Sequence, residues 1–190
     1  MRKAPLEKVI FVDRDGVINV DLIGDYIKAW EEFRFEEGAV LGLKKLCRAG
    51  YKLVIISNQA GIGDGIFTED AFWDIHRKML AELEKQGVTV HRSYFCLHGK
   101  EAGCKCRKPE TGLFEQAARE IRFDPKVTYF IGDKATDVEA GKRFGLKTVF
   151  VKTGHGKNDE KKLLGKNVPD IRADHLLQAV TLLLKSSAKA

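Results

Sequence analysis

Two aspartates one residue apart, Asp13 and Asp15, close the apolar run Val9-Ile10-Phe11-Val12 and are followed by Gly16. If that run is a buried parallel strand, both carboxyl groups emerge at its carboxyl end, where open α/β sheets bind ligands. One of them can then attack or hold a metal while the other handles a proton. Such a pair often does no more than end a strand. A second acidic cluster, Gly132-Asp133-Lys134-Ala135-Thr136-Asp137, raises the weight of the chemical reading, because it too follows an apolar run. Oxygens from Asp13, Asp15 and Asp133 suit Mg²⁺, which prefers an octahedral oxygen shell. Asp137, one helical turn on, is expected to orient the retained waters from outside; the plainer reading is an acid at a helix N-terminus.

Ser57 ends a second apolar run and is followed by Asn58 and Gln59. A hydroxyl and free amides at such a turn can donate to a phosphoryl oxygen. Lys108, in Arg107-Lys108-Pro109, can cancel phosphoryl charge and keep a nucleophilic carboxylate ionised. Arg107 and Lys134 add positive charge, Arg107 being the better candidate to meet the rest of a substrate. Cys96-x-His98-x₅-Cys104-x-Cys106 offers three sulfurs and one imidazole, a set that closes a tetrahedral structural Zn²⁺ site. The competing readings are a redox pair or idle thiols. The metal would staple the loop that carries Arg107 and Lys108. Cys47 stands apart on an apolar helix face, and His76, His91, His155 and His175 are expected at the surface or on helices rather than as ligands.

The elements that must position these residues alternate along the chain. Strands are expected at Val9–Val12, Leu53–Ser57, Val88–Cys96, Thr128–Ile131 and Thr148–Val151. Helical periods lie between them: Val40, Leu43 and Cys47; then Phe72, Ile75, Met79 and Leu83 after an N-cap at Thr68; then Leu113, Phe114, Ala117 and Ile121 after a cap at Thr111. A short helix ends at Gly145, and a last one spans Leu176 to Lys185. Strand and helix alternating in this way predict an α/β fold, a three-layer Rossmann-like parallel sheet with helices on both faces. Asp13, Ser57, Cys96 and Asp133 then all sit at carboxyl ends of strands and converge on one edge. Residues 16–37 form a polar connection, a small cap too short for a separate lid domain, and 96–108 form the metal loop of a single domain over 1–190.

The chain has 190 residues, 44% of them apolar, with 33 basic and 27 acidic residues and a net charge of +6. That size buries a sizeable core and excludes a disordered chain. No apolar run approaches the ~18 residues of a membrane span, and the first run leads straight into Asp13 rather than into a cleavage site, so a cytoplasmic monomer without a membrane partner is expected. Positive charge favours anionic partners. The densest basic stretches, Lys157 to Lys166 and Lys185 to Lys189, have no interleaved aromatics, which speaks against stacking on nucleic acid.

Together these segments resemble the haloacid dehalogenase (HAD) superfamily of phosphotransferases, whose hallmarks occur in order from Val9 to about Gly154: Asp13-x-Asp15-Gly16, Ser57-Asn58-Gln59, Lys108-Pro109 and Gly132-Asp133-x₃-Asp137. The resemblance implies a phospho-aspartate formed on Asp13, with Asp15 as general acid and then base. It implies that Ser57 and Lys108 bind the phosphoryl group, that Asn58, Gln59, Arg107, Lys134, Asp21 and Tyr26 meet the substrate, and that Mg²⁺ takes the Asp13 carboxylate, the Asp15 backbone carbonyl and Asp133. The cysteine loop, Gly24-Asp25-Tyr26-Ile27 and Val151-Lys152-Thr153-Gly154 are similar to the zinc-loop branch that holds heptose bisphosphate and histidinol-phosphate phosphatases. A phosphorylated metabolite, favoured as a sugar bisphosphate, is the expected substrate. A polynucleotide 3′-phosphatase and a non-catalytic, zinc-stapled binding module are the further alternatives.

Overall fold

A computed structural model describes residues 5–187. Val9–Val12 (β1) is buried at every position, so its side chains alternate between two apolar faces. Ile10 and Val12 pack with Leu43 and Leu46 of the helix Ala39–Arg48 (α1) on one face. Val9 and Phe11 turn to the other.

Lys52–Asn58 (β2) lies parallel to β1, with Ile55 opposite Val12. One short turn of helix, Ala60–Gly63 (α2), and then Glu69–Lys85 (α3) follow. The Thr68 hydroxyl accepts the Ala71 N–H at 3.2 Å and caps α3, and Phe72, Ile75, Met79 and Leu83 are all buried as the spacing predicts. Val90–Cys96 (β3) completes this half of the sheet. Gly112–Glu120 (α4) covers the opposite face, where Phe114 meets Phe11 and Phe130 edge to face at 5.2 and 5.1 Å. Thr111 stands at the cap position of α4 but does not cap it: its hydroxyl donates to Glu115 Oε1 at 2.7 Å instead.

Tyr129–Gly132 (β4), Ala135–Phe144 (α5) and Lys147–Val151 (β5) build the other half. After the short helix Gly156–Asp159 (α6), residues Ile171–Ala173 (β6) add a strand that the sequence does not announce, and Leu176–Ser187 (α7) packs beside α1. β6 is three residues long with an exposed Arg172 at its centre; pairing with β5, not apolar alternation, creates it. The all-parallel order β3-β2-β1-β4-β5-β6 reverses direction at β1 and β4. The crevice beyond the carboxyl ends of those two strands is the topological switch point of the sheet. Asp13 and Asp133 follow those ends directly, held in register by the Asp13 N–H donating to Ile131 O at 2.9 Å.

The connection between β1 and α1 folds as loops and one 3-10 turn, Trp30–Glu32. Val17, Ile18, Ile27 and Phe33 anchor it in the core. Among the described residues, no helix is long and apolar enough to cross a membrane. Lys189, in the second basic stretch, lies outside the described residues.

Candidate active site and metal centres

Lys108 is the hub of the crevice. Its ammonium group donates to the backbone oxygen of Ile56 at 3.1 Å and forms ion pairs with Asp13 Oδ2 at 2.8 Å and Asp137 Oδ1 at 2.7 Å. All three side chains are buried. Burial alone would lower the lysine's pKa, but Asp13 and Asp137 outweigh it and keep Lys108 charged. Asn58 fixes the backbone of Lys108 from both sides, accepting its N–H at 3.0 Å and donating to its carbonyl at 3.2 Å.

Asp133 is fully buried, and its Oδ2 accepts the His155 N–H at 2.7 Å while Oδ1 has no partner within the protein. Desolvation, with Asp137 and Asp13 close by, pushes its carboxyl well above the usual range; desolvation also raises Asp13, against the pull of Lys108. Carboxylate oxygens of Asp13, Asp133 and Asp137 lie within 4.8 Å of one another. A bare buried oxygen in a three-carboxylate nest fits a hard divalent cation. Gly16 makes room for that nest: its φ is +81°, and a Cβ there would stand 2.4 Å from Asp133 Oδ2.

Asp15 points elsewhere. Its Oδ1 accepts from Arg14 Nε at 3.1 Å, Arg14 Nη2 at 2.9 Å and Asn19 Nδ2 at 2.9 Å, and its Oδ2 accepts from Gln59 Nε2 at 2.7 Å. Burial would raise its pKa, but the Arg14 guanidinium and these hydrogen bonds outweigh that and hold the carboxyl below the ordinary range.

These groups open into a cavity of about 530 Å³, a size typical of small-molecule sites. Ser57, Tyr26, Arg107, Lys100 and Lys134 line it. Arg107 Nη1 is buried without a partner, while Lys134 is already paired with Asp21 at 3.1 Å. Asp21 also lies 3.3 Å from His155 Nε2, which ties the 16–37 connection to the loops after β4 and β5.

Beside this cavity, Cys96, His98, Cys104 and Cys106 converge. The measured S···S and S···N separations run from 3.1 to 3.7 Å. A tetrahedron with Zn–S bonds of about 2.3 Å has edges of about 3.7 Å, so the four atoms fit one zinc ion. Burial pushes the Cys96 thiol up, and a hydrogen bond with Cys106 adds to that. The loop docks on α2 by backbone contact: a Cβ at Gly63 would stand 2.1 Å from Gly99 N, and Asp64 Oδ1 accepts the Lys100 N–H at 3.0 Å.

A family model described as HAD-hydrolase-like matches residues 105–181. A D-glycero-β-D-manno-heptose-1,7-bisphosphate 7-phosphatase of Pasteurella multocida is 39% identical over 156 residues, covering 78% of this chain and 84% of the relative. The chain belongs to the heptose bisphosphate phosphatase family of HAD-like hydrolases. An enzyme of Photorhabdus laumondii named for the α-anomer of the same bisphosphate is 36% identical, with 85% and 92% covered. A solved D,D-heptose 1,7-bisphosphate phosphatase from B. bronchiseptica, complexed with magnesium and phosphate, superposes with a TM-score of 0.89 at 30% identity over 94% of this chain and 99% of its own.

In this HAD-like phosphatase several residues sit differently from the expectations of the sequence. Asp137, expected outside the acidic nest, is a member of it and forms an ion pair with Lys108, while the carboxylate of Asp15 stays out of the nest as expected. Gln59 is buried behind Asp15 rather than on the main cavity wall, and Asn58, which lines the cavity, also clamps Lys108 with its side chain. His76 lies on α3, within the expectation for the histidines, and is buried there, stacked on Phe72 with ring centroids 6.0 Å apart. His155 and Lys100 line the cavity, and Asp64 tethers the cysteine loop; none of the three carries a sequence motif that would have marked it.

Proposed function

We propose that this phosphatase removes the 7-phosphate of D-glycero-D-manno-heptose 1,7-bisphosphate, as a Mg²⁺-dependent enzyme with a structural Zn²⁺. The observation that carries the chemistry is the Lys108 bridge between Asp13 and Asp137, which opposes the desolvation of a carboxylate lining the cavity. Asp13 attacks phosphorus and forms the phospho-aspartate, while Asp15, which takes up a proton as the phosphate's negative charge enters beside it, gives that proton to the leaving oxygen. Asp15 then takes a proton from the water that splits the intermediate. Lys108 and Ser57 hold the phosphoryl oxygens. Asp13, the Asp15 carbonyl and Asp133 would hold Mg²⁺, which would supply charge neutralisation there.

Substrate choice is supported by the relatives' names and by the cavity's cations. Arg107, with its unpartnered nitrogen, and Lys100 stand ready for a second anionic group, and the 16–37 connection with Tyr26 forms the facing wall. The names of the relatives divide between α- and β-anomers. The deciding experiment compares kcat/KM on both heptose bisphosphate anomers, histidinol phosphate and a 3′-phosphorylated oligonucleotide. At least a tenfold preference for one heptose anomer is expected, and a preference for histidinol phosphate or the oligonucleotide would reject this reading.

A further inference from the structure

Arg14 lies between the two aspartates in sequence, yet its guanidinium touches only one of them. It is 3% exposed, seated with Cζ 5.1 Å from the centre of the Phe72 ring. From there it makes a fork of two hydrogen bonds to Asp15 Oδ1, and its Nη2 also donates to Gln59 Oε1 at 3.1 Å. Gln59 Nε2 returns to Asp15 Oδ2 and closes a ring of three side chains, and the same nitrogen reaches Ser57 Oγ at 3.1 Å. With Asn19 added, Oδ1 accepts three donors, while Oδ2 accepts one. A carboxylate oxygen has about two lone pairs. Oδ1 is therefore saturated, and Oδ2 keeps one lone pair open beside the cavity that Asp15 lines.

We propose that Arg14 is the positioning residue of the proton carrier, and that its fork, braced by Gln59, fixes the Asp15 carboxylate so that Oδ2 alone exchanges the proton with the leaving group. The inference rests on the assignment of Asp15 as general acid. In the first half-reaction the Oδ2 proton passes to the ester oxygen as the P–O bond breaks and the bond to Asp13 forms. In the second, a proton of the attacking water returns to Oδ2 as the acyl-phosphate bond breaks. An Arg14→Lys variant keeps the charge but loses the planar fork and the bond to Gln59.

The test is the dependence of rate on the leaving group. Loss of a well-placed general acid costs on the order of 10²-fold or more when the departing oxygen needs a proton, and far less for p-nitrophenolate, which leaves as the anion. Arg14→Lys is expected to lower kcat about a hundredfold on the alkyl phosphate that the wild-type enzyme turns over fastest. With p-nitrophenyl phosphate the loss should stay under about tenfold, with KM within about threefold for both. In an Asp15→Asn background the same substitution should add less than about twofold. Equal losses on both substrates, or full additivity with Asp15→Asn, would overturn the proposal. If Arg14→Lys does not fold, Gln59→Met opens the ring from the other side and is judged by the same ratio. An Asp15→Asn enzyme as active as wild type on the alkyl ester would instead remove the general-acid assignment itself.

Discussion

Lys108 Nζ sits 2.8 Å from Asp13 Oδ2 with both side chains at most 4% exposed, so an ion pair links the proposed nucleophile to the loop after the cysteine cluster. Removing one partner of a buried pair leaves the other charge uncompensated, at a cost of about 3–5 kcal/mol. Lys108→Met should therefore abolish turnover and lower stability by that order, because Asp13 and Asp137 both lose their cation. Asp13→Asn should also abolish turnover but leave the melting temperature within a few degrees, since Lys108 keeps its ion pair with Asp137. Retained phosphate release by Asp13→Asn would contradict a nucleophilic Asp13.

The raised carboxyl groups give cation binding a definite pH dependence. In the metal-free fold Asp13 and Asp133 lie above the ordinary value of 3.8, so the native state binds more protons than the unfolded chain. Their contribution to stability then falls as pH rises from the unfolded value through the raised native one. A divalent cation replaces those protons. Differential scanning calorimetry with Mg²⁺ should show a larger gain in melting temperature at pH 8 than at pH 5, and an equal gain at both would count against an ionised acidic nest as the binding site.

Zinc is expected at one ion per chain by elemental analysis, held by Cys96, His98, Cys104 and Cys106. Its loss by chelation, or the Cys106→Ser substitution, should loosen the segment that carries Arg107 and Lys108 and lower kcat/KM by at least tenfold. Metal binding to such a loop can contribute on the order of 10 kcal/mol. Gly63→Ala tests the docking separately, since the added methyl meets the backbone of Leu97, His98 and Gly99 and no side-chain atom that would ligate the metal. That variant should keep its zinc and raise KM. Unchanged kinetics in both variants would limit the loop to a structural role away from substrate.

His76 makes the fold acid-sensitive. Desolvation first, then the neighbouring Arg14, lowers its pKa from 6.5 to about 4. The neutral imidazole is favoured in the native state, so its contribution is complete above pH 6.5 and lost as pH falls toward 4. At about 1.4 kcal/mol per pH unit, the interval corresponds to about 3 kcal/mol. Urea unfolding at pH 7 and pH 4.5 should show a smaller loss for His76→Phe, which keeps the stack on Phe72 and the edge contact with Phe95. An identical loss in wild type and variant would assign the acid sensitivity to other groups.

The sequence by itself determined the sheet and its edge. Short, β-branched apolar runs such as Val9–Val12, alternating with helical periods, read as buried parallel strands, and a residue that follows such a strand lies at its carboxyl end. That is why Asp13, Ser57, Cys96 and Asp133 were assembled correctly from spacing alone, and why the cysteine cluster was legible: metal-ligand chemistry leaves a local signature. Tertiary structure decided what each polar side chain does once it arrives. Asp15 and Asp13 differ by two positions, but only packing sends one to Arg14 and Gln59 and the other to Lys108. His155, Lys100 and Asp64 enter the site through loops whose course depends on contacts far along the chain. Hydrogen bonds between residues 36 to 50 positions apart, such as Asp64 to Lys100 or Asn58 to Lys108, have no periodicity to read. They follow from which strand ends are neighbours, and the sheet order sets that.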